Sequence, residues 1–184
     1  MRKSRVWLII ASALALAIGV GTTLAYLVAS SQTVKNTFTI GSVSITLTES
    51  TGTNYPLIPG TSQAKDPVLT VEAGSEGCWV FFKAEKTPEF DNYITFLPAE
   101  GWEPLDGYTD VYYRSVRKTY TELRFPLLQG NQVHIKETLT EQLMANLSEP
   151  PKVTFVGYAA QKDGVADART AWQQILKEGG QTHE

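Results

Sequence analysis

Histidine, cysteine and acidic side chains carry most enzymatic and metal chemistry, and this chain spaces them poorly for either purpose. Its only histidines, His134 and His183, lie far apart in the sequence. A zinc protease of the common kind needs two histidines four residues apart on one helix, with a glutamate between them, so that both imidazoles reach one metal. That spacing does not occur in this sequence. The inventory therefore predicts no metal site, no cofactor and no zinc-dependent hydrolysis.

Nucleophilic and nucleotide chemistry is equally poorly supported. Cys78 is the single cysteine, so no intramolecular disulfide can form, and its run Cys78–Phe82 is typical of a buried strand. The sequence contains no nucleophile-elbow motif and no glycine-rich loop followed by a lysine. Asp106 and Asp110 flank Gly107, but their spacing indicates a turn and not an EF-hand loop. We therefore predict that the protein is not an enzyme.

Aromatic residues provide the one alternative chemistry, a surface that binds polysaccharide or protein. The candidates are Trp79, Trp102, Tyr108, Tyr112, Tyr113 and Trp172. Trp79 and Phe81 share one side of their predicted strand. Lys83 and Glu85 follow on that side, so part of the face can reach the surface. Packing in the core of a β-sandwich explains the same residues and is the interpretation we favour.

The first 25 residues have the pattern of an export signal. Arg2, Lys3 and Arg5 form a basic start, residues 6–20 are apolar, and Thr23 and Ala25 are the small residues that a signal peptidase requires. Cleavage between Ala25 and Tyr26 is therefore expected, and it places the protein outside the cytoplasm. A retained membrane anchor is the alternative, because the apolar run can be extended to residue 28.

Composition limits the possible partners. Loss of the three basic leader residues changes the formal net charge from -3 to about -6. An acidic surface repels phosphate backbones and anionic lipids, so nucleic acid is not an expected partner. The length and the 42% hydrophobic content suit one globular domain. We divide the chain into a leader at 1–25, an N-terminal strand segment at 26–40, a β-sandwich at 41–180 and a tail at 181–184.

Most of the chain after the leader has the two-residue period of β-strands. Val43, Ile45 and Leu47 alternate with polar residues, and turn residues separate the other candidates at short intervals. The further predicted strands are 68–72, 77–85, 93–97, 111–117, 121–127, 132–136 and 153–161. This pattern predicts an all-β, jelly-roll-like sandwich.

Two short peripheral helices are also predicted. Thr138 and Glu141 have the spacing of a capping box before an apolar stripe. Near the end of the chain, Val165, Ala168, Trp172 and Ile175 recur at helical spacing before a glycine pair.

The apolar residues change parity at Gly41. Before this glycine they occupy even positions, at Tyr26, Val28, Val34, Phe38 and Ile40, whereas after it they occupy odd ones. One strand cannot bury both sets against a single sheet without a bulge or a turn, and glycine permits either. The segment from Tyr26 to Ile40 is therefore predicted to be a separate strand that can pair with its own partner.

Several motifs resemble the TasA and camelysin family of exported bacterial proteins. They are Gly21–Leu27, Val34–Gly41 and Val43–Glu49, followed by Pro59–Gly60, Lys65–Pro67, Gly74–Ser75, Cys78–Phe81, Asp110–Arg114, Gly157–Gly164 and Ala171–Trp172. The resemblance covers essentially the whole chain.

The resemblance implies a jelly-roll fold and a role as a secreted subunit of a biofilm matrix or surface fibre. It implies cleavage by a dedicated signal peptidase and self-association in which the N-terminal strand is lent to the next subunit, with other matrix proteins as further partners. Residues 26–32 lack the acidic residues often found after the family's cleavage site. Camelysin has been described as a protease, and the residues above supply no site for that activity.

Overall fold

The computed structural model describes residues 28–30, 37–40, 42–51, 54–147 and 149–179. The predicted leader, its cleavage site and the tail lie outside these residues. The strands are β1 (Val28–Ser30), β2 (Thr37–Ile40), β3 (Ile45–Thr48), β4 (Asn54–Pro56), β5 (Ser62–Ala64), β6 (Val68–Val71), β7 (Cys78–Lys86), β8 (Ile94–Thr95), β9 (Glu103–Pro104), β10 (Val111–Val116), β11 (Leu123–Pro126), β12 (Gln132–Ile135) and β13 (Val153–Gln161). The α-helices are α1 (Phe90–Tyr93), α2 (Glu141–Ala145) and α3 (Ala168–Gly179).

A five-stranded sheet with the order β2-β13-β7-β10-β9 forms the centre of the fold. The antiparallel ladder between β13 and β7 is the longest, running from Val153 opposite Lys86 to Gln161 opposite Cys78. Both strands are rich in β-branched, aromatic and small residues, which suits a sheet that is covered on both faces.

The inner face of this sheet packs on a second sheet with the order β11-β6-β3. Alternate residues of β7, including Val80 and Phe82, enter the same buried cluster as Leu47 and Leu69 of the second sheet. The two-residue period of each strand thus buries one row of side chains between the sheets.

The outer face is covered by α3. Ala168, Ala171, Trp172 and Ile175 recur at helical spacing and are buried against Phe81 of β7. The Asp167 side chain accepts a hydrogen bond of 2.7 Å from the Thr170 backbone N–H, so it satisfies a free donor of the first turn. This hydrogen bond also lowers the pKa of Asp167.

Two smaller sheets complete the described structure, one with the order β5-β12-β8 and one formed by β1 and β4. The all-β class predicted from the sequence is confirmed, because strands in mainly antiparallel sheets dominate and the helices are few and short. Within the described ranges, no helix has both the length and the apolar character required to cross a bilayer.

Two local predictions were wrong. The predicted strand 93–97 is a helical turn that ends at Tyr93, followed by the two-residue strand β8. The Leu97 carbonyl accepts from the Gln129 backbone N–H, so this end of the segment pairs with a turn and not with a strand. The N-cap of α2 is Thr140 and not Thr138, because the Thr140 hydroxyl accepts from the Leu143 N–H and Glu141 is already helical.

Candidate functional site

The edge of the five-stranded sheet formed by β2 is the candidate site for subunit assembly. Thr37 to Ile40 pair in parallel with Gly157 to Ala160 of β13, and this is the one parallel ladder among the described strands. A parallel neighbour cannot be joined to β13 by a tight hairpin turn. The partner of β13 at this edge therefore comes from a distant part of the sequence, close to the N-terminus.

The short β2 covers only part of its neighbour. Its ladder spans four residues of β13, whereas the ladder on the opposite side spans the whole strand. Removing β2 would leave the backbone groups of residues 157–160 without their edge partner. An unpaired row of N–H and C=O groups is a template for another strand.

The two sheets approach closely beneath this edge. Gly157 pairs with Thr37, and a Cβ placed on Gly157 would lie 3.2 Å from Leu69 Cδ1 and 3.7 Å from Ile45 Cδ1. Gly157 thus allows β13 to lie on β3 and β6 without a gap or a clash.

The predicted donor residues fall in different places. Phe38 and Ile40 lie in β2, and Val28 lies in β1, where it pairs with Pro56. Tyr26, Val34 and Gly41 lie outside the described residues, as does the cleavage residue Ala25. On either side of position 41 the chain belongs to different sheets, with β2 in the five-stranded sheet and β3 in the three-stranded one.

Helix α3 packs beside the same edge. It contacts both β13 and β2, and the Trp172 ring lies 4.9 Å from Tyr158 and 5.2 Å from Phe81, measured between ring centroids. Arg169 fixes the start of the helix, because its Nη2 donates to the Asp106 backbone oxygen at 2.6 Å and to Asp106 Oδ2 at 3.0 Å. The helix therefore supports the outer side of the candidate edge.

A buried ion pair that the sequence analysis missed lies at the end of β3. Lys65 Nζ is 2.7 Å from Glu49 Oε1, and the two side chains are only 1% and 3% exposed. Burial lowers the pKa of Lys65, while Glu49 opposes this change. Glu49 occupies an odd position, as do the buried residues Ile45 and Leu47. The sequence signal for the ion pair was therefore a charged residue at a position predicted to face the core.

Asp66 fastens the neighbouring loop. Its Oδ1 accepts hydrogen bonds from the backbone N–H groups of Ser50 and Thr51 at 2.9 and 3.0 Å. Burial alone would raise the pKa of Asp66, but these hydrogen bonds outweigh it and lower the pKa to about 2. The carboxylate is thus stabilised in its charged form.

The residues considered for catalysis or metal binding are dispersed. Among the described residues, no three His, Cys, Asp or Glu side chains are placed to hold a metal ion. His134 is exposed on β12, and His183 lies outside the described residues. Cys78 is fully buried, and burial raises the pKa of its thiol to about 11. Asp110 Oδ1 binds Lys86 Nζ at 2.6 Å, and Asp106 binds Arg169.

The aromatic candidates mostly serve packing. Trp102 and Trp172 are buried, while Trp79, Tyr108, Tyr112 and Tyr113 are half-buried. One face of Trp79 is covered by Lys162, whose Nζ lies 4.2 Å from the ring centroid. Among the described residues for which burial is known, the most exposed large aromatic residue is Tyr120, which was not among the candidates.

Comparison of the chain with protein-family models, with curated proteins and with solved structures finds no match.

Proposed function

We propose that this chain is an exported structural subunit of an extracellular matrix or surface filament, and that it assembles by lending its N-terminal strand to a neighbouring copy. The observation that carries the proposal is the position of β2, a four-residue edge strand in parallel pairing with β13. Main-chain hydrogen bonds of this kind supply affinity whether the strand comes from the same chain or from another.

Exchange of β2 has a low structural cost. The strand belongs to a segment near the N-terminus, and its pairing partner lies in the last third of the chain. A second copy can therefore supply the same strand to the same edge with the same backbone pairing. Such a contact joins two different surfaces, so it propagates from copy to copy into a filament unless its rotation closes a ring.

Export and family membership are part of the same proposal, and they rest on the sequence. The leader with its Ala25–Tyr26 junction supports secretion through a signal peptidase. The resemblance to TasA and camelysin proteins supports a matrix role and a jelly-roll connectivity of the two packed sheets. The scattered histidines and the buried Cys78 support a structural and not an enzymatic role.

Sedimentation velocity tests the assembly proposal. We expect the chain beginning at Tyr26 to form concentration-dependent oligomers, and a chain beginning at Ser42 to remain a folded monomer because it lacks β2. A synthetic peptide of residues 26–40 should bind that monomer and raise its Tm. The proposal fails if the longer chain stays monomeric under every condition, or if the shorter chain assembles equally well.

A third chain identifies which strand is exchanged. A chain beginning at Ser31 lacks β1 but keeps β2. If the ladder with β13 provides the contact, this chain should assemble nearly as well as the chain beginning at Tyr26. Loss of assembly on removing β1 alone would instead place the contact at the β1–β4 pair.

The alternative function is a monomeric surface module that binds polysaccharide or protein through aromatic residues. The burial of Trp102 and Trp172 argues against this alternative, because buried rings stabilise the core and cannot contact a ligand at the surface. A monomer in all sedimentation runs that is retained on a polysaccharide column would support this alternative.

A further inference from the structure

Arg114 of β10 has its guanidinium against two aromatic rings, and no described residue accepts a hydrogen bond from it. Its Cζ lies 4.1 Å from the centroid of Phe125 and 5.4 Å from that of Trp102. Within the described part of the chain, no side-chain or backbone oxygen forms a hydrogen bond or a salt bridge with it. All its N–H donors are thus left for water or for a ligand.

Other cations packed on aromatic rings have a hydrogen-bond partner. Lys65 lies over Phe155 and binds Glu49, and Lys86 lies over Phe96 and binds Asp110. Lys162, which lies over Trp79, has the Ser115 hydroxyl as its partner. Arg114 differs from all three lysines, because no described residue accepts a hydrogen bond from its guanidinium. A half-buried charge without a counter-ion is costly, so binding an anion there gains more than it does at an exposed arginine.

The side chain is also held in place. Gly101 has a φ of +84°, and a Cβ placed on it would lie 2.6 Å from Arg114 Nη2. The guanidinium therefore rests on the Gly101 backbone as well as on the two rings. Burial lowers the pKa of Arg114, but a guanidinium keeps its charge at neutral pH. This preorganisation reduces the entropy lost when a ligand is bound.

Open strand edges flank the residue. β9 pairs with β10 only at Tyr112 and Tyr113, so the following residues of β10 have no described strand on that side. β11, which carries Phe125, pairs only with β6 among the described strands. Arg114 therefore lies between edges of the two packed sheets that no further described strand covers, although the Pro126 oxygen of β11 accepts a hydrogen bond of 2.8 Å from Trp102 Nε1. Such edges are suited to contact with another chain.

We propose that Arg114 binds a carboxylate side chain from a second copy of this chain, an inference that rests on the proposed self-assembly. The planar guanidinium matches a carboxylate through two parallel hydrogen bonds. Acidic residues outnumber Lys and Arg by 19 to 16, so each copy offers unpaired carboxylates. The same acidic excess repels an extended polyanion, which favours a single carboxylate as the occupant.

The test combines association with a direct probe of the guanidinium. In the exported chain, R114K retains the charge but lacks the planar guanidinium that donates two parallel hydrogen bonds. We expect this variant to weaken self-association at least tenfold. R124K, on the exposed face of the adjacent β11, is the matched control and should leave association unchanged. In NMR spectra at a concentration where the chain is monomeric, sodium acetate should shift the Arg114 Nε–Hε signal saturably, whereas sodium chloride at equal ionic strength should not.

The outcomes separate this inference from strand exchange. If R114K lowers the Tm but associates like the parent, Arg114 only covers Phe125 and Trp102, and the inference is overturned while strand exchange stands. If the parent chain never associates, strand exchange fails and a second copy is overturned as the source of the carboxylate. The acetate titration then decides whether Arg114 is a carboxylate site at all, and the absence of a shift overturns that too.

Discussion

Gly157 of β13 lies so close to Leu69 of β6 that a Cβ on the glycine would be 3.2 Å from Leu69 Cδ1. The contact joins the two packed sheets directly beneath the edge where β2 pairs with β13. The missing side chain therefore sets the distance between the sheets at the candidate assembly site.

Replacing Gly157 by valine should destabilise the fold by about 1–3 kcal/mol, because the added methyl groups overpack the space between the sheets. Urea denaturation of the exported chain measures the change. Gly77→Val is the control, since a Cβ at Gly77 would make only ordinary contacts, the nearest 3.5 Å from the Lys118 nitrogen. Equal losses of stability in the two variants would contradict this account of Gly157.

Lys65→Met should destabilise the protein by about 3–5 kcal/mol, because it leaves the Glu49 carboxylate buried without its cation. Adding Glu49→Leu to this variant should recover most of the loss. Lys83→Met removes a partner from the exposed Lys83–Glu85 pair and should change the free energy of unfolding by no more than about 1 kcal/mol. A double variant as unstable as Lys65→Met alone would show that packing, and not charge, is responsible.

Asp66 should make stability depend on pH in the acid range. Its pKa is lowered from 3.8 to about 2 in the folded protein, so its contribution is fully present above pH 4 and is lost as the pH falls towards 2. Asp66→Asn should therefore be less stable than the parent at pH 7, and the difference should shrink between pH 4 and pH 2. A difference that is constant over this interval would exclude the charged hydrogen bonds as its cause.

Intact-mass measurement of the secreted protein should give a chain that begins at Tyr26 or within a residue or two of it. The reason is that Thr23 and Ala25 are the small residues next to the apolar leader. Recovery of the full-length chain from the membrane fraction would instead indicate a retained anchor.

The purified protein should not hydrolyse casein, with or without a chelator, because its two histidines cannot form the usual zinc cluster. His134→Ala is the informative variant, since His134 is the one histidine in the described structure. Chelator-sensitive cleavage that disappears in this variant would show that the chain is an enzyme.

Strand positions with clear alternation were predictable, because a two-residue period reports burial on one face without any knowledge of partners. The strands at 68–72, 111–117 and 153–161 correspond to β6, β10 and β13 within a residue, and the C-terminal helix was recognised by its apolar repeat. The two-residue strand β9 was not recognisable, and β8 was predicted too long, at 93–97, because strands of this length are defined by pairing with a neighbour and carry no period of their own.

The sequence by itself determined the all-β class, the leader pattern, the shortage of catalytic residues and the parity change at Gly41, since composition and local periodicity decide these features. Only the tertiary structure decided that β2 pairs in parallel with β13, that Glu49 meets Lys65, and that Arg114 lies on Phe125 without a carboxylate from any described residue. These relationships join residues far apart in the chain. Their physical cause is the packing of two sheets against each other, which no local pattern of residues encodes.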